Sequence, residues 1–265
     1  RGRLDVSEVL AEARAIRNRG IRRFTLVTGE MPWEKVGSDI LEVVDALHQE
    51  DLFEYISGNF GALPDEAFSA LAKSGIDSYQ IFQETYDLAT YTIMHPRGPK
   101  HDFAWRWNTP FRALRAGIPT VGVGFLGGLS PVEDEAMALE EHVRKVESEF
   151  PNRVTLLNFP RVQRAPGAVI HDPPFPIPDN MFLELLRHFR ITFPAIGIAL
   201  TTREKPDFRD RAIRSGITHM SVESHTTVGG YATEQNPAEG QFLLGDHRTY
   251  REISAILAAR GLSIN

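Results

Sequence analysis

Several polar segments stand directly after short apolar runs, and these are where the chain could do chemistry. They are Thr28-Gly29-Glu30, Gln83-Glu84-Thr85-Tyr86, Asn158-Phe159-Pro160-Arg161, Thr201-Thr202-Arg203-Glu204 and the stretch from Ser221 through His225 to Gly229-Gly230-Tyr231. An arginine fork can hold a carboxylate through two hydrogen bonds, and a glutamate can accept from an ammonium. Interleaved Glu and Arg at such positions therefore suit a zwitterionic ligand; rim salt bridges are the plainer alternative. Glu30 and Glu84 could each face a shared mouth or complement a helix N-terminus. Arg203 is the strongest binding candidate, because an inward-facing cation needs a partner. Arg106, between Trp105 and Trp107, could stack on an aromatic ring as well as bind a ligand.

His219, Ser221, Glu223 and His225 share one face if the last β run alternates strictly. Such a face could hold a metal or move protons, but a hydrolytic metal site needs further histidines, and no His-x-His pair occurs. His95 and His101 fall in a Pro/Gly-containing loop and read as solvated or structural. Neither a Gly-x-Ser-x-Gly elbow nor a P-loop is present.

The elements that must position these residues alternate. Helical spacing covers 6–19, 38–48, a stretch opened by Pro64, 110–116, 132–150, 179–192, 208–215 and 249–260. Between them, buried strands are predicted over 24–28, 53–57, 78–82, 120–125, 154–157, 195–201 and 217–222. Strict alternation implies a parallel sheet with helices outside it. The first strand is followed by Thr28-Gly29-Glu30-Met31-Pro32, which lacks the glycine spacing of a dinucleotide-binding turn. The fold class expected is therefore α/β, a (β/α)8 TIM-type barrel lacking its first strand, because the chain opens on a helix. One barrel domain is expected over residues 1–265.

Composition narrows the partners. The 265 residues carry a formal charge of −6, without the basic stripe of a nucleic-acid footprint. No apolar run is long enough to span a bilayer, and no signal-peptide pattern opens the chain, so a cytoplasmic protein without membrane partners is expected. With no cysteine, these residues offer no disulfide, thiol nucleophile or thiolate ligand.

The run Tyr79-Gln80-Ile81-Phe82-Gln83-Glu84-Thr85-Tyr86, followed by Thr90-Tyr91 and Met94-His95-Pro96-Arg97-Gly98-Pro99-Lys100, resembles one family. It is similar to the aromatic-amino-acid lyases of the radical S-adenosylmethionine (radical SAM) superfamily. The likeness continues in order through Trp105-Arg106, Arg115-Ala116-Gly117-Ile118, Gly122-Val123-Gly124, Phe159-Pro160-Arg161, Thr202-Arg203-Glu204, Gly229-Gly230-Tyr231, Gln241-Phe242 and Gly245-Asp246-His247-Arg248.

The resemblance implies a (β/α)8 barrel using S-adenosylmethionine and a [4Fe–4S] cluster. It implies cleavage of the Cα–Cβ bond of an aromatic amino acid, tyrosine first, through a 5′-deoxyadenosyl radical, with an electron donor such as flavodoxin or ferredoxin. By it, Thr28, Gly29 and Glu30 would contact the methionine part of the cofactor, Glu84 its amino or ribose region and Arg106 its carboxylate. The backbone at Gly124 would lie near the cofactor and Arg161 would approach it, while Arg203 and Ser221 would hold the substrate.

Two departures accompany the likeness. The family's Cys-x3-Cys-x2-Cys loop follows the first barrel strand, so strand, loop and cluster ligands are expected outside these residues. Glu223 and His225 stand where the tyrosine lyases have a small or apolar residue and a basic one. A tryptophan-type lyase, or a cluster-free relative that binds S-adenosylmethionine or a partner, are the other readings.

Overall fold

The computed structural model describes residues 3–163, 172–232 and 242–264. Its elements run α1 (Val6–Asn18), β1 (Arg23–Val27), α2 (Trp33–Gln49), β2 (Tyr55–Asn59), α3 (Asp65–Lys73) and β3 (Ser78–Phe82). Then come α4 (Leu88–Met94), α5 (Phe103–Trp107), α6 (Thr109–Arg115), β4 (Thr120–Gly124), α7 (Val132–Glu149) and β5 (Val154–Asn158). The chain continues through α8 (Asp179–Thr192), β6 (Gly197–Leu200), α9 (Pro206–Ala212), β7 (His219–Met220) and α10 (Tyr250–Ala259). Gln241 of the quoted motifs lies outside the described residues.

The strands form one parallel sheet in the order β1-β2-β3-β4-β5-β6-β7. Consecutive order with helical crossovers is the connectivity of a β/α barrel rather than of a doubly wound sheet. The sheet curls, bringing its two ends near each other: His219 on β7 lies within the field of Arg23 on β1. Helix α1 crosses to the β7 side, where Arg19 donates to Glu223 (3.1 Å) and to the Tyr231 carbonyl (3.0 Å). Glu12 accepts from the backbone N–H groups of Tyr231 (2.7 Å) and Ala232 (2.6 Å).

Burial sorts the two faces of the sheet. Ile56, Tyr79, Ile81, Val121, Val123, Leu157, Ile198 and Leu200 are buried against the helices in one continuous apolar cluster. The alternate positions face the concave side, and many are small or polar. Thr25 Oγ1 meets Ser57 Oγ at 2.7 Å, and Gln80 Nε2 donates to that same Ser57 oxygen at 3.1 Å. In the layer of Gln80, an added Cβ on Gly122 would lie 3.2 Å from the Gln80 side chain and 3.3 Å from Leu156. Barrel interiors are ordinarily filled by bulky branched residues. This layer is instead built from hydroxyls and an amide, with Gln80 and Leu156 closing over Gly122.

Differences from the sequence reading fall in the loops. The stretch after β3 contains two short helices, α4 and α5, that the Pro and Gly residues around them conceal. They are stopped and started by side-chain caps: Asp87 accepts from the Thr90 N–H (2.7 Å) and Asp102 from the Trp105 N–H (2.8 Å). The last strand is shorter than 217–222. Because β7 ends at Met220 and Glu223 takes a φ of +47°, the expected common face of His219, Ser221, Glu223 and His225 does not form.

Candidate functional site

The loops after β1 and β3 meet in a charged quartet at the C-terminal ends of the strands. Arg106, 4% exposed on α5, donates to Glu30 Oε1 at 2.6 Å and lies 3.4 Å from Glu84 Oε1. Its Nε is fixed by the Phe82 carbonyl at 2.7 Å. Lys100 reaches the same oxygens, at 2.6 Å to Glu84 and 3.6 Å to Glu30. Tyr91, fully buried on α4, holds the Lys100 carbonyl through its hydroxyl at 2.6 Å.

Local backbone geometry aims these side chains. Glu84 adopts a φ of +74°, uncommon for a residue with a side chain, and its carbonyl accepts from Leu126 N–H at 2.7 Å. Behind it, buried Glu135 on α7 accepts from Thr85 Oγ1 and, at 2.9 Å, from the Tyr86 N–H. Glu30 lies over Gly61, where φ is +93° and a Cβ would stand 2.5 Å from the Glu30 Cγ. Burial alone would raise the Glu84 carboxyl, but Lys100 and Arg106 outweigh it and hold its pKa down at about 2. Arg106 is likewise pulled down by burial and raised on balance by Glu84 and Glu30.

Opposite the quartet stands Arg203, after β6. No carboxylate among the described residues pairs with it. Its guanidinium rests on the Phe242 ring, 3.6 Å from the centroid. Burial lowers its pKa to about 10, partly countered by the more distant charges of Glu84 and Glu204. Glu84 is therefore near enough to act on Arg203 electrostatically. Ser221 follows β7, with its backbone N–H on the Leu200 carbonyl at 3.0 Å.

The structure also sorts the remaining candidates. Thr28 turns its hydroxyl to the Gly29 carbonyl (3.0 Å), and Gly29 is open, with nothing within 4 Å of an added Cβ. Gly124 is required by packing, since a Cβ there would lie 1.7 Å from the Asn158 carbonyl oxygen. Arg161 is engaged by Glu204 and by Asp179 (2.9 Å), between the rings of Phe182 and Phe208. The arginine that stacks on Trp105 is Arg112, at 3.5 Å, while Arg106 points into the mouth. Glu223 braces α1 and α10, accepting from Arg19 and from the Tyr250 N–H (2.7 Å). His95 packs edge-on against Tyr91, with centroids 4.7 Å apart.

Sequence reasoning missed Lys100 as part of the charged site, because its partners stand 16 and 70 positions away and the turn between them is irregular. Asn158, named among the strand-end segments but given no role, has a buried Oδ1 with no partner among the described residues.

The quartet suits one ligand chemistry above others. Two carboxylates and two cations stand side by side, so an ammonium and a carboxylate on one ligand can each meet an opposite charge here. An α-amino-acid head has both: its carboxylate can go to Arg106 and Lys100 and its ammonium to Glu30. Glu30 Oε2 is buried without a partner among the described residues, ready to accept. The methionine part of S-adenosylmethionine fits this arrangement. An iron–sulfur cluster does not fit the residues present, because these 265 residues contain no cysteine.

The fold is a parallel β/α barrel-type sheet, and its strand ends carry a charged cluster. Residues 158–263 match the Biotin and Thiamin Synthesis associated domain. The chain is 34% identical to the 2-iminoacetate synthase of Escherichia coli strain K12 over 261 residues, 98% of this chain and 68% of that protein. It superposes on the FeFe-hydrogenase maturase HydG from Carboxydothermus hydrogenoformans with a TM-score of 0.92 and 35% identity, covering 99% of this chain. That match spans 60% of the maturase. Methylornithine synthase PylB shares the fold, with a TM-score of 0.74 at 16% identity, over 100% of this chain and 74% of that one. The chain belongs to the radical SAM aromatic-amino-acid lyase family, a family of carbon–carbon lyases.

Proposed function

We propose that this chain is the barrel of a cytoplasmic lyase that breaks the Cα–Cβ bond of an aromatic amino acid, with tyrosine as substrate. The observation that supports the reading is the balanced Glu30, Glu84, Lys100 and Arg106 quartet together with Arg203, which has no carboxylate partner among the described residues, on a chain of this family. S-adenosylmethionine supplies the hydrogen-abstracting chemistry when it is bound, and a one-electron donor such as flavodoxin or ferredoxin is the partner that chemistry requires.

The chain's own residues bind and orient. Glu30 accepts from the ammonium of the methionine moiety, with Thr28 and Gly29 presenting open backbone beside it. Arg106 takes the carboxylate, and Glu84 keeps its charge through Lys100 and Arg106, leaving it an acceptor for cofactor hydroxyl or amino groups. Gly124 lets β4 and β5 approach closely below the cofactor. Arg161 fixes Glu204 and so the segment that carries Arg203. Arg203 clamps the substrate carboxylate through two parallel hydrogen bonds, and Ser221 lies by the substrate's amino end. Holding substrate and cofactor in one orientation is the barrel's main contribution to rate.

The test is anaerobic reconstitution of the full-length protein with iron and sulfide, followed by incubation with S-adenosylmethionine, reductant and either tyrosine or tryptophan. The reading expects about four iron per chain, 5′-deoxyadenosine, and a phenolic fragment from tyrosine. Turnover of tryptophan alone would make it a tryptophan-type lyase. S-adenosylmethionine binding without iron uptake would make it a ligand-binding relative.

A further inference from the structure

Behind Arg203 and Ser221 lies an ion pair that the proposed chemistry does not use. Arg209, on α9, and Asp246, in the segment leading to α10, are 0% and 1% exposed, and the Arg209 Nη1 donates to Asp246 Oδ2. The other terminal nitrogen of Arg209 donates to the backbone carbonyl of Ser221 at 2.5 Å. Asp246 also receives Arg248 Nη2 at 2.7 Å, and Arg248 is itself tied to Asp210 at 2.8 Å.

The segment around Asp246 touches the Arg203 region at three places. The N–H groups of Gly245 (2.8 Å) and Asp246 (3.1 Å) both donate to the Thr202 carbonyl. Gly245 lies so close to the backbone that an added Cβ would stand 2.6 Å from the Arg203 carbonyl oxygen and 2.8 Å from the Glu204 carbonyl carbon. Phe242 supplies the ring beneath the Arg203 guanidinium.

We infer that Arg209 and Asp246 are positioning residues that fix Arg203 relative to Ser221, and so set how tightly the amino-acid substrate is held. The inference rests on the proposed roles of Arg203 and Ser221. Stability alone does not account for the pair. Burying a whole guanidinium is costly, and the Arg209 Nε has no partner among the described residues. Two apolar side chains could fill the same space. They could not grip the Ser221 carbonyl at one end while anchoring, at the other, the loop that carries the floor under Arg203.

The cofactor quartet stands on the loops after β1 and β3 and shares no contact with this pair. The two ligands should therefore respond differently. The experiment measures equilibrium binding of tyrosine and of S-adenosylmethionine to the full-length reconstituted protein, with melting temperature alongside. The variants are Asp246→Asn, Gly245→Ala and, as reference, Arg203→Lys. Asp246→Asn keeps the shape of the side chain, and Gly245→Ala forces this segment and the Arg203 backbone apart while keeping both charged groups of the ion pair.

Both variants are expected to weaken tyrosine binding by about tenfold, the scale of one lost hydrogen bond to a charged group, with S-adenosylmethionine affinity within about twofold of wild type. Unchanged tyrosine binding in both, with Arg203→Lys impaired, would overturn the inference and leave the role of Arg203 standing. Equal loss of both ligands would reduce the pair to scaffold. An unimpaired Arg203→Lys would remove the parent reading and this inference with it.

Discussion

Arg203 and Glu84 face each other across the mouth in opposite electrostatic situations. Arg203 lacks an acidic partner among the described residues, and Glu84 has two cations. Replacing Arg203 by lysine keeps the charge but removes the planar fork. The substrate KM should rise about tenfold or more while S-adenosylmethionine binding is kept, which steady-state kinetics paired with cofactor titration would show. Glu84 makes a statement about pH. Its folded pKa of about 2 lies below its ordinary 4.5, so its contribution to stability is complete above pH 4.5 and is lost as pH falls toward 2. Denaturant unfolding across that window should lose at most about 3 kcal/mol in wild type, and the same curve should be flatter for Glu84→Gln. Glu30, Glu84 and Arg203 were legible as polar residues at strand ends, and Arg106 only as an arginine between two tryptophans, open to stacking or to ligand binding. Lys100, Arg209 and Asp246 were not, since each gains its meaning from a partner brought close only by the fold.

At the scale of elements, β3 and β4 and the helix α7 carry the site. Gly124 pairs with Asn158, two residues beyond the point between Val121 and Gly122 where β4 and β5 shift register. With 1.7 Å available to a Cβ, Gly124→Ala must push the two strands apart, and a loss of about 3 kcal/mol or more in unfolding experiments is expected. Helix α7 secures the loop after β3 twice, by Glu135 and by His142, whose Nδ1 lies 2.8 Å from the Tyr86 hydroxyl with the ring stacked on Trp107 at 4.4 Å. Burial lowers the His142 pKa from 6.5 to about 4. Its neutral form is therefore native, and stability from this group falls as pH drops from 6.5 to 4. His142→Gln should remove that slope from a plot of unfolding free energy against pH, leaving the lower window owed to Glu84. Strands buried on both sides announce themselves as apolar runs, which is why β3 to β6 were legible. The two residues of β7 carry too little pattern, and α4 and α5 are fixed by aspartate caps rather than by an apolar stripe.

At the scale of the whole molecule, the described residues form one curled sheet with β1 and β7 at its two ends. The strand order was legible from alternation alone, but the bracing of the ends was not. Arg19 and Glu12 on α1 grip a loop more than 200 residues away in sequence, a pairing no local spacing encodes. Hydrogen exchange should reflect this layout, with amides of β3 and β4 protected longest and those of β7, which pairs through two residues only, exchanging sooner. The hydroxyl- and glycine-lined interior has a further consequence. In most barrels branched apolar side chains close the interior; here Thr25, Ser57 and Gln80 present bonded polar atoms instead. On the proposed function, cofactor and substrate bind over this polar layer and are building material as well as reactants. At a hundredfold excess over Kd, each ligand adds about 2.7 kcal/mol to the native state. What arrives to be transformed also completes the vessel.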